Sequence, residues 1–267
     1  MKLEEMFDLK DRVAVITGGS RHLGYDMAQI LAEAGCDLVI TSRTLTSAEE
    51  AAEKLRRETG RDVLPRALNV SEPSAIEDFA READAWKGHV DILVNNAGGG
   101  SGLSAGHLFQ RSAEDIIELI TVNLIGTLLC CKAFAPDMAK RGRGRIINIA
   151  SIAALMGRDR RMYERHGMSG QPIDYAAAKA GVVGMTMDLA GLLTPMGINV
   201  NAISPGGFGP RELSEGFAKD YSDGTPMGRM GRDGIDLKGA CLYLASPASD
   251  YVTGHNLIVD GGFSIWH

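Results

Sequence analysis

The residues best suited to do chemistry are a tyrosine and a lysine four positions apart, Tyr175 and Lys179, in the run YAAAK. On a helix, positions i and i+4 share one face, so phenol and ammonium would point the same way. An unperturbed phenol has a pKa of about 10, too high for proton exchange near neutrality. A nearby cation favours the phenolate. Lowering the pKa to neutrality asks for roughly 3–4 kcal/mol from Lys179 and a further positive charge. A tyrosine so tuned is a general acid or base. The pattern alone is common and ordinarily marks a surface pair. Its company changes the reading: Ser151 follows an apolar run, where its hydroxyl could face the same cleft.

A second constellation is the glycine-rich run TGGSRHLG at 17–24, which contains Gly18, Ser20, Arg21, His22, Leu23 and Gly24. It follows an apolar run and opens a helical one. Backbone N–H groups exposed by glycine at a helix N-terminus form a pyrophosphate site. At the end of the next apolar run stand Ser42 and Arg43, with no acid. A carboxylate there would accept from a ribose 2′-OH and favour NAD, whereas arginine suits a 2′-phosphate and favours NADP. Arg21 could supply a second cation to that phosphate. The plain alternative has Arg43 packed over the adenine or lying in solvent.

These residues need elements to position them. Apolar runs at 12–17, 37–41, 63–70, 90–94, 145–149, 199–203 and 256–259 read as strands. Helical segments lie between them, through residue 34, at 47–59, at 73–86 and across 122–138. Strands that are nearly continuous apolar runs, alternating with helices, indicate a parallel sheet covered on both faces. Right-handed crossovers then give a doubly wound α/β sheet of about seven strands, in one domain over residues 1–267. Two stretches stand outside the alternation, 98–106 and 158–170, and read as loops that carry specificity.

Composition bounds the rest. The chain has 267 residues, 45% hydrophobic and 23% charged, with a net charge of −6. That apolar content excludes a disordered chain, and the acidic balance argues against nucleic acid as a partner. The four cysteines (Cys36, Cys130, Cys131 and Cys241) have no metal-ligand spacing, and no metal is expected. The N-terminal residues carry charges and no apolar core of a secretory signal. The longest apolar stretches are interrupted by Lys132 and Asp188, so no membrane span is expected. A soluble, cytoplasmic protein follows from this reading.

The blocks TGGSRHLG (17–24), NNAG (95–98), the asparagine of VNLIG (Asn123), INIAS (147–151), YAAAK (175–179), NAISPGG (201–207) and VTGHNLIVDGG (252–262) occur in this order. With them the chain resembles the short-chain dehydrogenase/reductase family over essentially its whole length. The resemblance implies a single Rossmann-type domain, a nicotinamide cofactor and hydride exchange at a secondary alcohol or ketone. It makes Tyr175 the general acid or base, and has Lys179 lower its pKa and hold the nicotinamide ribose. Ser151 would hydrogen-bond the substrate oxygen, and Asn123 would position a water behind Lys179. By geometry alone, Asn123 could equally cap or bridge a buried helix. The resemblance also places Asn69 and Val70 beside the adenine and Asn96, Ala97 and Gly98 along the adenosine. Pro205, Gly206 and Phe208 would lie beside the nicotinamide. It implies a homotetramer.

Departures from the family pattern are informative. His22 stands where the loop usually has its middle glycine, Asn69 where aspartate is usual, and Pro210 where a threonine often contacts the carboxamide. Ser151 and Tyr175 are separated by about twice the usual distance, and the extra residues 158–170 are rich in cations. Tyr163 lies nearer the usual spacing from Ser151, but Gly167 rather than lysine follows it, so Tyr163 is rejected as the acid. The chain's two ends are similar to the gluconate 5-dehydrogenase-like branch. Arg158, Arg160, Arg161 and His166 would suit an anionic substrate such as a sugar acid, or form a solvated loop or subunit contact. A small polar hydroxyl or ketone compound, a sugar acid or polyol, is the expected substrate. A 3-oxoacyl thioester on a carrier protein is the alternative, and a cofactor-sensing regulator without catalysis the remote one.

Overall fold

Seven parallel strands form one sheet in the order β3-β2-β1-β4-β5-β6-β7. The structure, a computed structural model, describes residues 2–100, 106–209 and 213–266. In chain order, α1 (Leu3–Phe7) precedes β1 (Val13–Thr17), α2 (His22–Glu33), β2 (Asp37–Ser42), α3 (Leu45–Thr59), β3 (Val63–Ala67) and α4 (Pro73–Lys87). Then come β4 (Ile92–Asn95), α5 (Ala113–Ile120), α6 (Gly126–Arg141), β5 (Gly144–Ile149), α7 (Arg160–Glu164) and α8 (Ile173–Leu193). The chain finishes with β6 (Ile198–Pro205), α9 (Glu215–Asp223), α10 (Lys238–Ala245) and β7 (Asn256–Val259).

The central strands alternate between two cores, which is why their apolar runs are nearly continuous. Ala14 and Ile16 of β1 face Met27 and Leu31 of α2 and Leu55 of α3. Val13 and Val15 face the other way, into the layer with Phe79 of α4 and Phe134 of α6. Side chains of period two on a sheet covered on both faces leave no position for solvent. Each fully buried aliphatic side chain contributes roughly 1.5–3 kcal/mol.

The expected elements are present, with shifts that have physical causes. The third strand ends at Ala67 rather than residue 70. It is an edge strand, and Pro65, opposite Ile40, is tolerated there because one side of the ladder needs no donor. The helix expected from residue 122 starts earlier, at Ala113, where Ser112 accepts from the Asp115 N–H as its N-cap. A wider turn, Thr121–Ile125, joins α5 to α6.

Segment 158–170 is the main correction. It is not simply a loop: Asp159 caps the short helix α7, accepting from the Arg161 N–H. Met162 and Tyr163 pack with Phe217 and Tyr221 of α9 in a small apolar cluster of their own. Apolar residues interleaved among the cations supply a buried side that the charge run had obscured.

By length and composition, the helices Ala113–Arg141 and Ile173–Met196 could each cross a membrane, which the interruptions at Lys132 and Asp188 did not suggest. Both instead bury one side in the protein, through Cys130, Cys131 and Phe134 on α6 and Ala178, Lys179 and Val182 on α8. All four cysteines are free and buried, and burial raises the pKa of each thiol.

Candidate active site

Adjacent strands β1 and β4 send their following segments to opposite sides, so a crevice opens beyond their carboxyl ends. The first wall of the crevice is the turn from β1 into α2. Gly24 has no room for a side chain: a Cβ would lie 2.2 Å from the Gly18 carbonyl oxygen and 2.5 Å from Asn96 Nδ2. Asn96 Nδ2 donates to the carbonyls of Thr17 (3.1 Å) and Gly18 (3.0 Å), and Thr17 Oγ1 accepts from the N–H groups of Asn96 and Ala97. Gly18 in turn donates to Thr41 Oγ1 at 3.2 Å. The two glycine-bearing segments therefore brace each other, leaving the backbone at the start of α2 shaped to cradle a phosphate.

His22 adopts φ +49°, the left-handed conformation that glycine would hold without strain. The loop has not shifted to suit the histidine; the residue has taken the backbone the loop requires. Ser20 is partly buried beside the loop and Leu23 packs against the core under it. Arg21 and Arg43 are exposed, at the loop and just past β2, and neither forms an ion pair among the described residues. Ser42 ends β2, its carbonyl accepting from Leu68 N–H at 2.8 Å. Beyond it, Asn69 Oδ1 accepts from the Ser71 N–H and hydroxyl while Nδ2 donates to Glu72, so the side chain is engaged in its own turn. Val70 is buried against Gly126.

On the other side of the crevice, α8 carries Tyr175 and Lys179. Lys179 is 3% exposed, and its Nζ donates to the Ile149 carbonyl at 2.8 Å and lies 5.8 Å from the Tyr175 ring centre. Burial pulls the Lys179 pKa down to about 8. Ser151, just after β5, accepts from Ala153 N–H at 3.1 Å and its hydroxyl faces the Tyr175 phenol. Burial raises the pKa of that phenol, while Ser151 and the Arg158 guanidinium oppose the rise. Ser151 and Arg158 thus act on the phenol, and burial also favours the neutral form of Lys179.

Gly98 joins the two walls. A Cβ there would lie 2.5 Å from Asn123 Oδ1 and 3.7 Å from Lys179 Nζ. Asn123, buried in the wide turn, donates from Nδ2 to the Gly99 and Leu119 carbonyls and accepts the Gly99 N–H. Its side chain therefore performs the bridging that the spacing alone left open. Pro205 and Gly206 end β6, with Gly206 N–H on the Val259 carbonyl at 3.0 Å, and buried Phe208 follows. All these positions lie at the carboxyl-terminal end of the sheet. Pro210 and residues 101–105 lie outside the described residues.

Sequence reasoning missed two supports. Asn95 donates to Asn148 (2.9 Å), which donates to Thr186 (3.0 Å), tying β4, β5 and α8 together behind the crevice. Arg111 and Asp174 form a buried ion pair beside Tyr175. The acid immediately before the tyrosine was visible in sequence, but its partner 63 positions away was not.

A single parallel α/β domain with a glycine-braced crevice, a buried lysine and a tyrosine–serine pair defines a nicotinamide-dependent oxidoreductase of the Rossmann type. Comparison with known proteins is specific. The family model described as enoyl-(acyl carrier protein) reductase matches residues 18–264. The chain is 35% identical over 271 residues to 2-dehydro-3-deoxy-D-gluconate 5-dehydrogenase of Bacillus subtilis, covering 98% of each. It is 34% identical over 260 residues to 3-oxoacyl-(acyl-carrier-protein) reductase of Vibrio cholerae, covering 96% of this chain and 98% of that one. The crystal structure of a gluconate 5-dehydrogenase from Burkholderia cenocepacia, in complex with NADP and tartrate, superposes with a TM-score of 0.88 at 34% identity, covering 99% of both chains. The chain belongs to the short-chain dehydrogenase/reductase family and is an oxidoreductase of alcohol and keto groups that uses a nicotinamide cofactor.

Proposed function

We propose that the protein interconverts a secondary alcohol and a ketone on a small polar substrate, a sugar acid or polyol, with NADP as the preferred cofactor. The observation that carries this reading is the meeting of Tyr175, Ser151 and Lys179 at one end of the sheet beside the glycine-braced crevice. When bound, the nicotinamide supplies or accepts the hydride. Gly18, Ser20, Leu23 and Gly24 would hold the pyrophosphate, and Arg21 and Arg43 the 2′-phosphate. Ser42, Asn69, Val70, Asn96, Ala97 and Gly98 would line the adenosine half, and Pro205, Gly206 and Phe208 the nicotinamide. Two exposed guanidinium groups without competing carboxylates favour the phosphorylated cofactor.

In reduction, Tyr175 donates its proton to the substrate oxygen while Ser151 hydrogen-bonds the same atom as negative charge develops there. In oxidation the roles reverse. Lys179 holds the ribose and completes the positive field that brings the phenol towards neutrality, with Asn123 positioning a water behind it.

The sugar-acid reading is supported by the gluconate-type relatives and by the cations of 158–170, read here as an insertion in the domain. The relative named as a reductase of 3-oxoacyl carrier protein supports a thioester as the second reading. Following NADPH and NADH oxidation with 2- and 5-keto sugar acids, cyclic ketones and 3-oxoacyl thioesters tests all of this. Turnover of the thioesters alone would replace the sugar-acid reading, and equal use of NADH would remove the roles given to Arg21 and Arg43.

The protein is proposed to be a homotetramer of the cytoplasm. Ile117, Leu128, Ile173 and Met187, on the exposed sides of α5, α6 and α8, are 65%, 43%, 50% and 57% exposed and would be covered by a second copy. Sedimentation of the purified protein should give four chains; a monomer would sink this part.

A further inference from the structure

Most of the cations in segment 158–170 are already occupied. Arg161 grips Asp159 through Nε and Nη2, both at 2.8 Å, and is 81% exposed. Arg165 and His166 both reach the Asp220 carboxylate at 3.0 Å. Arg160 donates to the Ser169 carbonyl at 2.8 Å on the exposed side. The sequence treats these residues as one cationic cluster; the fold separates them.

Arg158 differs. Its Nη2 donates at 3.2 Å to the carbonyl of Pro172, three residues ahead of Tyr175. Its Nη1 is buried and has no hydrogen-bond partner among the described residues. No described carboxylate pairs with it. Its guanidinium, held at the residue that caps α8 ahead of Tyr175, opposes the effect of burial on the phenols of Tyr163 and Tyr175. A buried charged donor without an acceptor is costly, and a ligand oxygen would relieve that cost. The segment is also held in place: Tyr163 packs on Phe217 with ring centres 5.2 Å apart, and Gln171 lies against Gly100.

We infer that Arg158 is the specificity residue that takes the carboxylate of an anionic substrate, with Nη1 on the carboxylate and Nη2 anchored on the Pro172 carbonyl. Held in this way, the acid group of a keto sugar acid sits beside Tyr175 and leaves the remainder of the molecule to reach Ser151 and the phenol. A neutral polyol or an acyl thioester offers no charge to the same nitrogen. The inference rests on the proposed reading of this cleft and narrows it to acids.

The test is calorimetric binding of D-gluconate and D-glucitol to the enzyme–NADPH complex, in which neither alcohol can react. Gluconate should bind at least about tenfold more tightly than glucitol, the effect of one charge-assisted contact. Arg158→Gln should abolish the difference, Arg158→Lys should keep part of it, and Arg161→Gln should leave it unchanged. Equal binding in the wild type, or a preference that survives Arg158→Gln, overturns the inference. If Arg158→Gln does not fold, the wild-type comparison and Arg158→Lys decide. A gluconate preference without turnover of any keto sugar acid would keep the anion site and defeat the proposed substrate. Turnover with a preference indifferent to Arg158→Gln would do the opposite.

Discussion

The ammonium of Lys179 donates to the carbonyl of Ile149 at 2.8 Å, two residues ahead of Ser151. One hydrogen bond thus ties the helix that carries the phenol to the strand end that carries the hydroxyl. Because the lysine is buried without an acid, its proton is held loosely, at a pKa of about 8.

That depressed value makes a stability prediction. Unfolded, a lysine keeps its proton to about pH 10.4, so between pH 8 and that value the unfolded chain binds more protons than the folded one. The buried ammonium of Lys179 therefore costs stability below this window, and that cost is relieved as pH rises through it. In urea melts of the cofactor-free protein, wild type should gain up to about 3 kcal/mol relative to Lys179→Met between pH 8 and 10.5. Parallel curves for the two proteins would show that the lysine is not desolvated.

Tyr175→Phe should lower kcat by roughly 10²–10⁴-fold with unchanged thermal stability, because it removes a proton carrier and little packing. Ser151→Ala should cost about 10²-fold. Steady-state assays alongside melting curves separate loss of chemistry from loss of fold. A Tyr175→Phe protein retaining wild-type turnover would return the regulator reading to consideration.

Arg21→Ala and Arg43→Ala should each raise KM for NADPH about tenfold or more while leaving KM for NADH within about twofold, since the 2′-phosphate alone distinguishes the cofactors. Equal loss with both cofactors would mean that the arginines shape the loop rather than read the phosphate.

At His22 the left-handed backbone costs an L-residue about 1 kcal/mol. His22→Gly should therefore raise stability by up to about 1 kcal/mol in chemical denaturation, offset in part by the flexibility glycine adds to the unfolded chain. His22→Val should destabilise, since a β-branched residue fits that conformation worst.

The Arg111–Asp174 pair is almost wholly buried, with side chains 1% and 6% exposed. Asp174→Asn removes the carboxylate that faces a buried guanidinium and should cost roughly 3 kcal/mol. A double replacement, Arg111→Met with Asp174→Leu, should recover much of that loss. If Asp174→Asn melts with wild type, the pair does not support the start of α8.

By itself, the sequence determined the alternation of strands and helices, the glycine-rich turn after β1 and the residues at the ends of strands. Each is local: period-two apolar runs, a glycine loop before a helix, and a tyrosine and lysine one helical turn apart. The preference for Tyr175 over Tyr163 rested on the lysine four residues on, Lys179, which Tyr163 lacks. What only the tertiary structure decided depends on residues far apart in the chain. Arg158, Arg160, Arg161 and His166 look alike as letters, yet Asp159 and Asp220 neutralise some and a buried backbone carbonyl orients another. The Tyr175 phenol likewise feels burial, Ser151 and Arg158, none of which the five-residue motif contains. Charge and desolvation act through space, so their balance appears only once the chain has folded.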